Sequence, residues 1–298
     1  MRHYMRLMAC SALLACCGIV AAANYTETKV ADTQEGVCDV DCSEAAVDVG
    51  ASEGSIDAIF FNGFDSEACS LTSSGASYSI PAVSHYDESQ SSNFTGVGNG
   101  DYLSEDGWWF RVAGDTLESF FPSPTMTNCA GNAGTITWSD VDARGQFSAV
   151  NTLILGSAAT NSGYLKLTMS LTNLSTTAPL VITLFHGADI DVNGTPFLDS
   201  AIRRVTLEGN YWVEISDATA GLAWYIATNP AANAFLVRPH GTTSDVFGEL
   251  FNATITNFDD TGLPANSIDF TGGYQWNLTI PAGATRSVSV EMIARGGP

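Results

Sequence analysis

The stretch Tyr164-Leu165-Lys166-Leu167-Thr168-Met169-Ser170-Leu171-Thr172 decides the fold. Successive side chains of an extended chain point to opposite sides, so Leu165, Leu167, Met169 and Leu171 share one face and Lys166, Thr168, Ser170 and Thr172 the other. A helix would scatter those four apolar residues around its circumference. The alternation predicts an antiparallel strand with one wet face. The same period runs through Tyr274, Trp276, Leu278 and Ile280 against Gln275, Asn277 and Thr279, and through Val288, Val290 and Met292 against Ser287, Ser289 and Glu291. Pro281-Ala282-Gly283-Ala284 between those two runs reads as a hairpin turn.

Outward from these runs, further strands are expected at Trp108 to Val112, Thr135 to Trp138, Phe147 to Leu155, Leu180 to His186, Ile202 to Leu207, Tyr211 to Ile215, Ala223 to Ala227, Phe235 to Arg238 and Val246 to Thr256. Gly, Asn, Pro and Ser turns separate them, and no segment of comparable length carries a clean helical period with caps. The fold class is therefore all-β: a large antiparallel β-sandwich over residues 72–298, taken as one unit because no internal repeat or Pro/Ser-rich linker divides it.

The 298 residues are 45% hydrophobic and only 14% charged. Such a chain buries a sizeable core. Its formal charge of −21 repels phosphate backbones and anionic lipid heads, which excludes nucleic acid and acidic membrane surfaces as partners.

Residues 1–23 read as a signal peptide: Arg2, His3 and Arg6 form a basic start, Leu7 to Val20 are apolar or small, and Ala21-Ala22-Ala23 offers a cleavage site. The stretch is too short to span a bilayer, and no transmembrane span is expected elsewhere. Leu13-Leu14-Ala15-Cys16 also matches a lipobox, which would leave a lipid anchor at Cys16. Cleavage after Ala23 leaves Cys38, Cys42, Cys69 and Cys129, an even set suited to disulfides in an oxidising compartment, whereas cleavage before Cys16 leaves Cys17 odd. Four cysteines allow three pairings. Cys69 with Cys129 and Cys38 with Cys42 is preferred because it ties the leader to the sandwich without crossing loops.

Residues 24–71 form an acidic leader, crowded with carboxylates and without a basic residue after Lys29. Such a block repels itself and stays extended. Within it, Gly50-Ala51-Ser52-Glu53-Gly54 matches a nucleophile elbow in letters but lacks the strand and helix that would expose the serine, so no catalytic residue is assigned.

Asp189-Ile190-Asp191-Val192-Asn193-Gly194 spaces Asp189, Asp191 and Asn193 as the alternating oxygen ligands of a calcium loop. The twelfth position is Ser200 rather than Glu, and Asn193-Gly194 is equally a type I′ hairpin tip. Asp140 and Asp142 form a weaker pair of the same kind. His85, His186 and His240 show no zinc spacing, and His186 falls in phase with Leu180, Ile182 and Leu184, as a core histidine does. Trp108 and Trp109 point to opposite faces of a strand, so one leaves the core side; beside Asp106 it would suit stacking on a sugar ring, unless both faces are buried. Five N-x-[ST] triplets, at Asn24, Asn93, Asn173, Asn252 and Asn277, are common by chance in Ser/Thr-rich strands.

Asp57-Ala58-Ile59-Phe60-Phe61-Asn62-Gly63-Phe64-Asp65 resembles a short D-x-I-F-x-N-G-F-[DE] segment of exported gammaproteobacterial proteins of unknown function. Leu167 to Leu184, with Trp276 to Val290, looks like the paired strands of secreted immunoglobulin-like or supersandwich bacterial domains. The resemblance implies export and a β-domain, and no activity. The expectation is a secreted or cell-surface, non-catalytic β-sandwich with a binding or structural role, its partner an extracellular glycan or surface protein. The alternative is a glycan-binding or glycan-active domain using Trp108, Trp109 and Asp106.

Overall fold

The computed structural model describes residues 69–73, 76–80, 93–95, 102–159, 162–195, 197–206, 210–217 and 221–296, all within one compact unit spanning Ile56–Pro298. The signal segment, Cys16, Cys38, Cys42 and nearly all of the acidic leader lie outside the described residues, as does the side chain of Asn193.

Among the described residues seventeen strands follow one another: β1 (Cys69–Ser73), β2 (Ala76–Ile80), β3 (Asn93–Thr95), β4 (Glu105–Val112), β5 (Ser119–Phe120), β6 (Met126–Ala130), β7 (Ala133–Trp138), β8 (Phe147–Ala159), β9 (Ser162–Asn173), β10 (Leu180–Asp189), β11 (Asp199–Val205), β12 (Tyr211–Asp217), β13 (Gly221–Thr228), β14 (Ala234–Pro239), β15 (Ala265–Ile268), β16 (Phe270–Ile280) and β17 (Thr285–Gly296). They form a nine-stranded sheet in the order β15-β11-β12-β13-β17-β9-β8-β7-β6, a five-stranded sheet β14-β16-β10-β4-β5, and a small sheet β1-β2-β3. Among the described residues these strands pair antiparallel throughout, and an isolated bridge between Leu236 and Thr261 is parallel. The fold is an all-β sandwich, and β1 begins three residues before the expected domain start.

The alternation in β9 does what its pattern requires. Leu165, Leu167, Met169 and Leu171 are buried, while Thr168, Ser170 and Thr172 pair their hydroxyls with Ser289, Ser287 and Thr285 of β17 on the outer face. Pro281 to Ala284 is a turn but not a hairpin, because β16 belongs to the five-stranded sheet and β17 to the nine-stranded one. The chain crosses from one sheet to the other there, as it does between β9 and β10. Pairing therefore runs between the two stretches rather than within either: β9 with β17, and β10 with β16.

One core fills the space between the layers, with Phe147, Leu165, Leu184, Tyr225, Tyr274 and Trp276 at its centre. The small sheet joins it through Leu71, Tyr78 and Phe94, and the Cys69–Cys129 disulfide fastens β1 to β6. A second cluster covers the outer side of the five-stranded sheet: Trp109, Phe185, Leu236 and Phe258 against Val246, Phe247 and Leu250 of a helix, α1 (Val246–Phe251).

That helix corrects the expected strand at Val246 to Thr256. Asp245 caps it, its carboxylate accepting from the Gly248 N–H at 2.6 Å, and Val246, Phe247 and Leu250 then share the buried side of a single turn and a half. Among the described residues no helix is long and apolar enough to cross a membrane.

Candidate metal centre

The acidic stretch around Asp189 sits at one end of the sandwich, where the chain changes sheets twice. After β10 it crosses to β11, and after β15 it crosses to β16, so Asp189, Asp191, Asp199 and Asp269 gather from residues far apart in sequence. Asp189 stands opposite Glu105 of β4 and Thr271 of β16. Backbone bonds lock the crossings together: Ser104 N–H to Asp189 O at 3.0 Å, Ile190 N–H to Phe270 O at 3.2 Å, and His240 N–H to Asp269 O at 2.8 Å.

One ligand atom each from Asp189, Asp191 and Asp269 lie within 4.8 Å of one another. Asp189 is 4% exposed. The Oδ1 atoms of all three are shielded from solvent and receive no hydrogen bond. Ser104 donates its hydroxyl to Asp191 Oδ2 at 2.8 Å, and His240 Nδ1 lies 3.5 Å from Asp189 Oδ2 and 3.9 Å from Asp245 Oδ2. Like charges this close in a desolvated setting favour the neutral acid. Burial first, then Asp191, Asp269, Glu105 and Asp245, holds the Asp189 carboxyl well above the usual carboxylate range. Burial also raises Asp191, against the Ser104 hydrogen bond and His240, and raises Asp269 together with Asp191. Asp199 is pushed up to about 7 by burial, then by Asp191 and Asp217, with the Val192 backbone N–H pulling the other way.

Converging carboxylate oxygens are what a hard cation such as calcium takes, six to eight at a time. The loop from Asp189 supplies two of them, and the third, Asp269, comes from the other crossing. Asn193-Gly194 is not a hairpin tip, because β10 and β11 lie in different sheets; Val192–Gly194 forms a 3-10 turn with Gly194 at φ 73°. Sequence reasoning missed Asp269, which lies between β15 and β16 and is brought to Asp189 only because β16 pairs with β10. For Asp217 a signal existed: it is in phase with the buried Val213 and Ile215, and a carboxylate on a core face demands a partner.

The other candidate residues do not join this centre. Trp108 is 5% exposed and Trp109 1%, one in the main core and one under α1, so neither ring offers a face to a sugar. Asp106 faces inward, accepting from the Tyr78 hydroxyl at 3.3 Å and standing 3.4 Å from His186 Nε2. Asp142 pairs with Arg144, and Asp140 accepts from the Gly145 N–H.

The class these features define is that of large antiparallel β-sandwich proteins with a carboxylate-lined end. No family model and no curated protein matches the sequence. Similar solved structures include a putative kojibiose phosphorylase from human microbiome (8% identity, TM-score 0.38, 75% of this chain and 30% of that one). Others are an Aspergillus nidulans amine oxidase (9%, 0.28, 74% and 50%) and a lysyl oxidase from Pichia pastoris (11%, 0.27, 77% and 42%). The chain spans half or less of each of these structures.

Proposed function

We propose that this is an exported, non-catalytic β-sandwich protein acting outside the cytoplasm in binding or structure, and that calcium held by Asp189, Asp191 and Asp269 completes its fold. The observation that carries the reading is the convergence of those three carboxylates within 4.8 Å, each with an oxygen shielded and unpaired. A disulfide between Cys69 and Cys129 accords with an oxidising compartment. The cation would tie the two sheet crossings to each other, a structural task that needs no open coordination position.

The test is a thermal melt in millimolar calcium against sodium chloride of equal ionic strength, because salt screening acts on every exposed charge alike. Binding to the folded state adds about 2.7 kcal/mol at a hundredfold excess over Kd. Wild type should melt higher in calcium. Asp191→Ala and Asp269→Asn should lose that rise, and Asp269→Asn should melt above wild type in chelator because one repelling charge is gone. Equal wild-type melting temperatures in the two salts would refute the reading.

A further inference from the structure

The outer face of the nine-stranded sheet changes character at β12, β13, β17 and β9. Over most of β9 and β17 it carries paired Ser and Thr hydroxyls, but towards the other end of these strands rings and branched side chains replace them. Register sets Trp212 opposite Ile226, Trp224 opposite Ile293, and Ile293 opposite Tyr164. These five alternate with buried residues such as Val213, Tyr225, Met292 and Leu165, so they point away from the core, and each is half-buried. From β12 to β9 the strip runs about 14 Å at the usual separation of strands.

The formal charge of −21 does not extend to this face. Among the described residues, the strands present there the carboxylates Glu214 and Glu291 against the cations Lys166, Arg204 and Arg295. Both carboxylates are matched. Arg204 donates to Glu214 at 2.6 Å and Lys166 to Glu291 at 2.8 Å. Trp224 Nε1 also donates to Glu214, at 3.2 Å, and the Arg295 guanidinium lies 4.3 Å from the centre of the Trp224 ring, so Trp224 is held from two sides. Trp212 meets Trp224 edge to face at 6.4 Å, and its Nε1 is shielded and finds no acceptor, which leaves one donor on the strip unsatisfied.

Aromatic surface for C–H faces, with fixed donors and acceptors beside it, is the chemistry that recognises sugars. Matched charges suit an uncharged ligand, whereas an anionic one would be repelled by the field of the whole chain. A protein partner would want a continuous apolar centre inside a polar rim. Here an ion pair stands beside the apolar residues at either end, and what is left is a narrow strip, the outline of a chain-like ligand.

We propose that this strip binds a neutral polysaccharide, its sugar rings stacking on Trp212 and Tyr164 and its hydroxyls bonding to the Arg204–Glu214 and Lys166–Glu291 pairs, with the Trp224–Arg295 stack as a rigid post between the two rings. The proposal rests on the binding role read above, to which it gives a ligand class, and it does not involve the carboxylate centre.

The test is native electrophoresis of the full-length protein, with calcium present, in gels cast with soluble starch, dextran, hydroxyethylcellulose or alginate. Migration should be slowed by at least one of the three neutral polysaccharides and not by alginate. Trp212→Ala and Tyr164→Ala should each weaken that binding about tenfold, with circular dichroism and melting temperature unchanged. No slowing in any neutral gel, or slowing in alginate only, would overturn the proposal. Slowing kept in full by both variants would place the sugar elsewhere and overturn the assignment, and a wild-type dimer in light scattering that Trp212→Ala dissociates would give the face to a second copy instead. If Trp212→Ala fails to fold, Arg204→Ala takes its place, since that side chain is 49% exposed and its loss removes donors without opening the core. The calcium melt reads the carboxylate centre by itself, so either result can fail without the other.

Discussion

His186 is fully buried and held on three sides. Its Nδ1 lies 2.6 Å from the Tyr225 hydroxyl, its Nε2 3.4 Å from Asp106 Oδ2, and Trp108 packs edge-on at 4.6 Å between ring centroids. The Tyr225 hydroxyl is also within 3.2 Å of the His186 carbonyl, so one oxygen serves both ends of the same residue. Tyr225→Phe removes that oxygen and leaves buried polar atoms unpaired, a cost of about 1–3 kcal/mol. The urea midpoint should fall by that cost divided by the m-value, with the m-value itself unchanged, and an unchanged midpoint would show that the pair contributes nothing. The phase of His186 with Leu180, Ile182 and Leu184 already marked it as a core residue in the sequence. Its partners were not legible, because Tyr225 is brought to it by the stacking of β13 under β10, across the sandwich, where no sequence period reaches. Trp108 and Trp109 show the same limit. Alternation placed them on opposite faces, but that the second face is also covered depends on α1, a helix too short to announce itself.

Among the described sheets, the small sheet β1-β2-β3 is the one held by the fewest backbone ladders, and besides the packing of Leu71, Tyr78 and Phe94 it is tied to the large sheet by the Cys69–Cys129 bridge and the Thr72 N–H to Gly131 O bond at 2.7 Å. The bridge closes a loop with a sequence separation of 60, for which the loss of unfolded-chain entropy gives about 4 kcal/mol. The Cys69→Ser, Cys129→Ser double variant should lose stability of that order. Hydrogen exchange should quicken first in β1, β2 and β6, while β9 and β17, in the middle of the nine-stranded sheet, keep their protection until global unfolding. Uniform loss of protection would show that the small sheet is not a separate weak point. The long two-faced strands were legible because one face is wet. The changes of sheet were not, since a turn such as Pro281 to Ala284 has the same residues whether it joins neighbours in a sheet or crosses between layers. For that reason the partnership of β9 with β17, and that of β10 with β16, which sets Asp189 opposite Thr271 at the acidic end, had to come from the structure.

At the scale of the molecule, a chain of formal charge −21 concentrates buried like charges at one end, and its stability must therefore depend on pH in a particular direction. Asp199, with a folded-state value of about 7, binds a proton more tightly in the folded than in the unfolded protein, and Asp189, Asp191 and Asp269 are shifted the same way. For a raised carboxylate the folded state holds more protons, so stability falls as pH rises through the folded value and is greatest below it. Asp115 works oppositely. The two hydrogen bonds from Arg144, at 2.7 and 2.9 Å, lower it, so its contribution is present above the unfolded value and is lost as pH falls through the folded one. In chelator, the melting temperature should therefore climb as pH is lowered from 8 to about 5 and turn down only below the ordinary carboxylate range near 4. Calcium changes the alkaline limb, because metal and protons compete for the same oxygens. With calcium saturating, the melting temperature at pH 8 should rise by more than at pH 5, and the two curves should meet at low pH, where the carboxyls are protonated in either solution. Asp199→Asn should flatten the alkaline limb in chelator. Parallel curves separated by a constant interval would mean that calcium binds at groups which do not titrate in this range, and would remove the buried carboxylates as its ligands.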